Sequence, residues 1–146
     1  MPTLEDAIAL DIEAHRRQKE KAGQPYILHV LRVMCRLETE QEQMAGVLHD
    51  VVEDTPYTRD DLRRLGYPEP VVAAVDCLTR REDETYEEFV KRAGAHPIAR
   101  RVKLADLEDN MDIRRRLEVT ERDCERLNRH IRARIRMCEL IAAAEA

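Results

Sequence analysis

Aromatic residues are nearly missing: the 146 residues include no tryptophan, one phenylalanine and four tyrosines. An interior built on large rings is excluded, so the core must come from Leu, Val, Ile and Ala. Glycine is as scarce, with four residues and no cluster, which excludes a glycine-rich phosphate loop or dinucleotide-binding turn. No apolar run approaches the roughly 18 residues of a membrane helix, so no membrane span or membrane partner is expected. The cysteines, Cys35, Cys77, Cys124 and Cys138, form no Cys-x-x-Cys pair. With no signal peptide they read as reduced core thiols of a cytoplasmic protein. The net charge of −5 argues against a general nucleic-acid binder. Repeats, low-complexity tracts and linkers are absent too, so residues 1–146 are expected to form one domain.

What remains is 43% hydrophobic and 38% charged, an aliphatic core beneath a densely charged surface. The apolar residues recur at helical spacing, which predicts an all-α bundle of about seven to nine helices. Thr3 with Asp6 opens a first helix to about Lys19. A turn follows in which Gly23 supplies a left-handed cap and Pro25 starts a second helix to Leu37. Residues 41–54 form a third helix, Thr58 with Asp61 caps a short fourth ending at Leu65, and Pro70–Leu78 forms a buried fifth. Arg80–Thr85 carries no helix or strand signal and is a candidate mobile rim. Helices at Tyr86–Ala93, Pro97–Asn110 and Thr120–Ala144 complete the chain. In the last, Leu127, Ile131, Ile135, Cys138 and Ile141 form the apolar stripe beside an arginine-rich face; that basic run, counted from Arg114, is open between a solvated face and a contact for phosphates or an acidic partner.

The chemistry centres on His49-Asp50-Val51-Val52-Glu53-Asp54. His49 and Glu53 are four apart, as are Asp50 and Asp54, so an imidazole and three carboxylates crowd about one helical turn. Like charges at that spacing repel and call for a compensating cation. One reading is a metal held by His49 and Asp50, with Glu53 and Asp54 acting on what it binds; the other is two solvated acidic pairs. Five histidines and thirty acids give about one His-acid pair by chance, so the pair alone does not decide. Lys103, Asp106 and Asn110 share a face of the Pro97–Asn110 helix, and Asp106 offers a further carboxylate. His29, alone on the second helix, is open between a satisfied polar residue and a ligand. His96 and His130 sit in no acid cluster.

Three stretches occur in order: Ala14-His15, Gln18 and Gly23-Gln24-Pro25-Tyr26-Ile27 with His29; Leu48-His49-Asp50-Val51-Val52-Glu53-Asp54-Thr55; and Val102-Lys103-Leu104-Ala105-Asp106 with Asn110-Met111. Together they make the chain resemble the HD superfamily of metal-dependent phosphohydrolases. Within it the likeness is nearest to the hydrolase domain of the RelA/SpoT group, which removes the 3′-pyrophosphate of guanosine tetra- and pentaphosphate. The resemblance implies an HD-domain helical bundle and metal ligands His29, His49, Asp50 and Asp106. It implies that Glu53 and Asp54 orient or deprotonate water or protonate the leaving oxygen. It also implies substrate contacts from Lys21, Tyr26 and Asn110, with Lys103 structural. Two imidazoles and two carboxylates suit Mn2+, with Fe2+ or Mg2+ as alternatives, better than a closed zinc site. The partner implied is a small phosphorylated nucleotide; the sequence is silent on oligomeric state.

The chain departs from the family at two places. Glu20 stands where an arginine helps hold the guanine base. Around Asp106 the flanking basic residues give way to Leu107-Glu108-Asp109 and Asp112, which predicts weaker attraction for a polyanionic nucleotide. The expected activity is thus (p)ppGpp 3′-pyrophosphohydrolase-like. The alternatives are a nucleotide phosphatase of different base specificity, or a non-catalytic module acting through the arginine-rich C-terminal helix. The resemblance covers only the hydrolase part of the long relatives, so no synthetase activity is expected.

Overall fold

The computed structural model describes residues 1–20 and 22–146; Lys21, the candidate for the distal phosphates, lies outside the described residues. Among them the secondary structure is all-α. The helices are α1 (Leu4–Ala14), α2 (Tyr26–Cys35), α3 (Glu40–Leu48), α4 (Val51–Asp54), α5 (Arg59–Arg64), α6 (Glu69–Cys77), α7 (Tyr86–Gly94), α8 (Pro97–Asn110) and α9 (Glu121–Ala144). A short 3-10 turn, Ile113–Arg115, lies between the last two.

Four helices begin with the same local device. Thr3, Thr39, Thr58 and Thr120 each accept from the backbone three residues on, while Asp6, Glu42, Asp61 and Asp123 reach back to the cap. Such reciprocal capping satisfies amides that the first turn leaves without partners. α3 is the centre of the bundle, because Met44, Ala45, Gly46, Val47 and Leu48 are all buried. A helix apolar on every side must be enclosed, and α1, α2, α6 and α8 enclose this one. Gly46 faces α2 and the residues just after it: a Cβ there would lie 3.8 Å from Met34 Cα and 2.6 Å from Leu37 Cδ1. α8 packs on α2 and α3, and α9 lies across α7 and α8. The ends of α2, α3 and α8 therefore meet in one place, and the site forms there.

The structure corrects the sequence at several points. The first helix stops at Ala14, and residues 15–20 and 22–25 belong to no helix; among them Arg17 takes a left-handed φ of 68° and Gly23 one of 83°. Tyr26 N donates to Gln18 O (2.8 Å) and Glu20 N to Gln24 O (2.8 Å), pinning these residues to the start of α2. The third helix is not continuous: His49 Nδ1 turns back onto Gly46 O (2.6 Å), and the chain restarts as α4 after Asp50. On α9 the inward residues are His130, Ala133 and Met137. Ile131 and Ile135 of the expected stripe are 37% and 54% exposed, because packing on α7 and α8 selects a face rotated from theirs. The cysteines are free, but Cys35 and Cys124 are exposed rather than core. The Arg80–Thr85 segment is anchored: Arg92 clamps Glu84 with two hydrogen bonds (2.7 and 2.8 Å) and donates to the carbonyls of Asp76 and Thr79.

Candidate metal centre and active-site cavity

His29 comes from α2, His49 and Asp50 from the break between α3 and α4, and Asp106 from α8. His29 Nε2 lies 3.0 Å from Asp106 Oδ1, and His49 Nε2 lies 3.1 Å from Asp50 Oδ2 and 3.5 Å from Asp106 Oδ1. Donor atoms of His29, His49 and Asp50 all fall within 4.8 Å of one another. Both imidazoles are held from behind. His49 Nδ1 faces the Gly46 carbonyl at 2.6 Å, and His29 Nδ1 faces Asp109 Oδ2 at 2.6 Å. Each acceptor holds the ring by Nδ1 and turns Nε2 inward. The Nε2 of His49 is buried and has no hydrogen-bond partner among the described residues. Two imidazole nitrogens and two carboxylates converging in this way fit a divalent cation, which satisfies all four at once.

The electrostatics point the same way. Burial works against an imidazolium at His29, but hydrogen bonds to Asp106 and Asp109 outweigh it and raise the pKa to about 9. His49 is raised well above its ordinary value, where burial is outweighed by Asp50 and Asp106. Burial likewise opposes the charge on Asp106, yet Lys103 and the two imidazoles hold it well below the carboxylate range. The carboxylates thus demand positive charge, and protons or a metal ion can supply it.

A cavity of about 410 Å³ opens beside this cluster. Glu53 and Asn110 lie on its wall, and Asn110 Nδ2 donates to Asp106 Oδ1 (3.1 Å). The desolvating surroundings of Glu53, then the charges of Asp50 and Asp54, raise its pKa. Tyr26 also reaches the wall, but its hydroxyl donates to Asp50 Oδ2. Asp54 points elsewhere: its Oδ2 lies 3.5 Å from Nε2 of the buried His15, whose Nδ1 lies 2.9 Å from Asp11 Oδ1. The two acids that looked alike in the sequence therefore have different surroundings. The far wall is basic, with Arg115 from the 3-10 turn, Arg116 just after it, and Arg126 and Arg129 from α9. Lys103, read from the sequence as structural, is in the wall as well. Its Nζ is buried 3.4 Å from Asp106 Oδ2 and sits 4.8 Å from the Phe89 ring centre.

No family model matches the chain. A GTP pyrophosphokinase of Streptomyces coelicolor is 38% identical over 117 residues, 71% of this chain and 14% of that protein. A guanosine-3′,5′-bis(diphosphate) 3′-pyrophosphohydrolase of Haemophilus influenzae is 35% identical over 114 residues, 68% of this chain and 17% of that protein. The chain therefore spans well under a fifth of the curated relatives it matches. Among solved structures, a metazoan SpoT ortholog described as hydrolysing ppGpp superimposes with a TM-score of 0.71. The identity there is 23%, over 99% of this chain and 97% of that one. The chain resembles the RelA/SpoT group in sequence and in fold.

In this RelA/SpoT-like bundle the structure brings together His29, His49, Asp50 and Asp106, with Glu53, Tyr26 and Asn110 around them. Sequence reasoning missed two things. His130, given no role, lies buried in the cavity wall, and burial lowers its pKa to about 4. Asp109 meets His29, a contact between residues 80 apart that no local spacing announces. The basic wall comes from the C-terminal arginine run, which the sequence left open between a solvated face and a phosphate contact; Arg126 and Arg129 of α9 line the cavity and offset the loss of basic character around Asp106. The acids that seemed to crowd the pocket are mostly engaged: Glu108 pairs with Arg134 (3.1 Å), Asp112 with Arg114 (2.7 Å), and Glu20 with Arg32 (2.8 Å).

Proposed function

We propose that this chain is a divalent-metal phosphohydrolase of the (p)ppGpp 3′-pyrophosphohydrolase type, working with Mn2+ held by His29, His49, Asp50 and Asp106. The observation that carries the reading is the inward convergence of two Nε2 atoms and two carboxylates at the floor of a cavity with a basic far wall. When bound, the cation supplies Lewis acidity toward a phosphoryl oxygen and acidifies water. Glu53, on the cavity wall, takes the proton of the attacking water. As that water oxygen bonds to phosphorus, the bond from phosphorus to the ribose 3′ oxygen breaks. The electron pair leaves on that oxygen, which is then protonated, and pyrophosphate is released. Asn110 and Lys103 steady the group being transferred, and Arg115, Arg116, Arg126 and Arg129 hold the remaining phosphates.

Glu20 favours a second reading within the same chemistry. It lines the cavity where the family places a base-holding arginine, which supports a nucleotide of different base. The non-catalytic module is favoured least. Arg126 and Arg129 of α9 face the cavity, while Arg134 and Arg136 are paired with Glu108 and Glu139.

The test is phosphate and pyrophosphate release from a nucleotide panel with Mn2+, including guanosine tetraphosphate, beside His49→Ala. Pyrophosphate from guanosine tetraphosphate, abolished by the substitution, is expected. Release from other nucleotides only would move the base specificity, and no release with metal bound would overturn the hydrolase.

A further inference from the structure

Asp109 is only 1% exposed, yet the reaction outlined above gives it no part. Its Oδ2 lies 2.6 Å from His29 Nδ1, while Asp106, three residues earlier on α8, lies 3.0 Å from His29 Nε2. One face of one helix thus addresses both nitrogens of the ring, since residues three apart on a helix are neighbours. On the other side of the cluster, His49 is oriented by a backbone carbonyl, which cannot be altered by a side-chain change. His29 is oriented by a carboxylate instead.

That carboxylate is itself braced. Arg32 Nε donates to Asp109 Oδ1 (2.8 Å) and its Nη2 to Oδ2 (3.2 Å), a forked pairing that fixes orientation as well as charge. The same Arg32 Nη2 donates to Glu20 Oε2 (2.8 Å), and Arg115 approaches both Glu20 Oε1 (3.3 Å) and Asp109 Oδ2 (3.6 Å). Glu20 and Asp109, two acids that look adverse in the sequence, are therefore bridged by Arg32 and, at longer range, by Arg115, behind the metal cluster.

We propose that Asp109 is a positioning residue for the metal centre: held by the Arg32–Glu20 brace, it fixes His29 with its proton on Nδ1 and its Nε2 lone pair toward the cation. The inference rests on the metal centre proposed above. An acceptor behind a ligating imidazole sets its tautomer and orientation, and losing one typically costs about 10–100-fold in metal affinity.

The experiment is Mn2+ titration by calorimetry, without substrate, on wild type, His49→Ala, Asp109→Leu, Asp109→Asn, His29→Ala and the two double variants of Asp109 with His29→Ala. Asp109→Leu is expected to weaken Mn2+ binding about 10–100-fold. Asp109→Asn keeps an acceptor oxygen facing Nδ1 and is expected to weaken it less. In the His29→Ala background neither change should weaken binding further, because the residue acts through that ring. A merely structural role would lower the melting temperature without this non-additivity. Unchanged affinity in folded Asp109→Leu, or an equal loss with and without His29, would overturn the proposal. If Asp109→Leu does not fold, the Asp109→Asn pair decides on the same criterion. Wild type that takes no Mn2+, or His49→Ala that binds it as well as wild type, would instead overturn the metal centre itself.

Discussion

Lys103 Nζ lies 3.4 Å from Asp106 Oδ2, and both side chains are almost wholly withdrawn from solvent. A buried ammonium is tolerable only beside such a carboxylate, and Asp106 raises the lysine pKa against the effect of burial. The lysine is also a rival of any cation that Asp106 would ligate. Lys103→Met is expected to destabilise the metal-free protein by about 3 kcal/mol, the order found when a buried ion pair loses one partner. The rise in melting temperature on adding Mn2+ should then exceed that of wild type. Thermal melts with and without Mn2+ check both signs.

Glu53 and Asp54 separate in the tertiary structure, and their variants should separate too. Glu53→Gln removes the carboxylate on the cavity wall and is expected to lower kcat by about 10²–10⁴-fold with Mn2+ affinity kept. Steady-state kinetics beside Mn2+ titration would show this. A parallel loss of metal would instead make Glu53 part of the ligand set.

The buried His15 predicts a pH dependence. Burial opposes its protonation, but hydrogen bonds to Asp11 and Asp54 raise its pKa to about 9 from an ordinary 6.5. With a folded value above the unfolded one, its contribution to stability is fully present below pH 6.5 and is lost as the pH rises through about 9. The stability gap between wild type and His15→Gln in urea melts should be largest at the acid end of that window. It should close at the alkaline end.

Gly46 tests the packing that brings α2 and α3 together. Gly46→Ala places a methyl against Leu37 Cδ1 and is expected to cost about 1–3 kcal/mol. Since the obstacle is the end of one side chain, Gly46→Ala combined with Leu37→Ala should cost less than the sum of the two. Denaturant melts of the four proteins give the coupling.

The basic wall predicts a substrate-dependent effect. Arg129 stacks over the Tyr86 ring at 4.5 Å, and Arg126 lies 3.8 Å from Asp123 Oδ1. Arg126→Met with Arg129→Met is expected to raise KM about 10–100-fold for a nucleotide with phosphates at two positions, the loss of one or two charge-assisted contacts. A substrate carrying only the scissile group should be affected far less. Equal effects on both would remove these arginines from phosphate binding.

Much of the fold was legible because helices are local. Capping pairs such as Thr3 with Asp6 and Thr58 with Asp61, and apolar spacing in α2, α3, α6 and α8, involve residues three or four apart. The same locality placed His49 beside Asp50, and Asp106 one turn before Asn110. It failed where a break intervened, since the sequence offers no reason to end α3 at Leu48 until His49 is seen turning back onto Gly46.

By itself the sequence determined an aliphatic all-α bundle and a set of imidazoles and carboxylates suited to a cation, because spacing along a helix fixes which side chains share a face. Only the tertiary structure decided that α9 turns His130 and Met137 inward rather than Ile131 and Ile135. The same holds for the basic wall beside Asp106 and for Asp109 behind His29. These contacts join residues far apart in the chain, as His29 and Asp109 are at a separation of 80, and are selected by the packing of whole helices. No period along the chain encodes them.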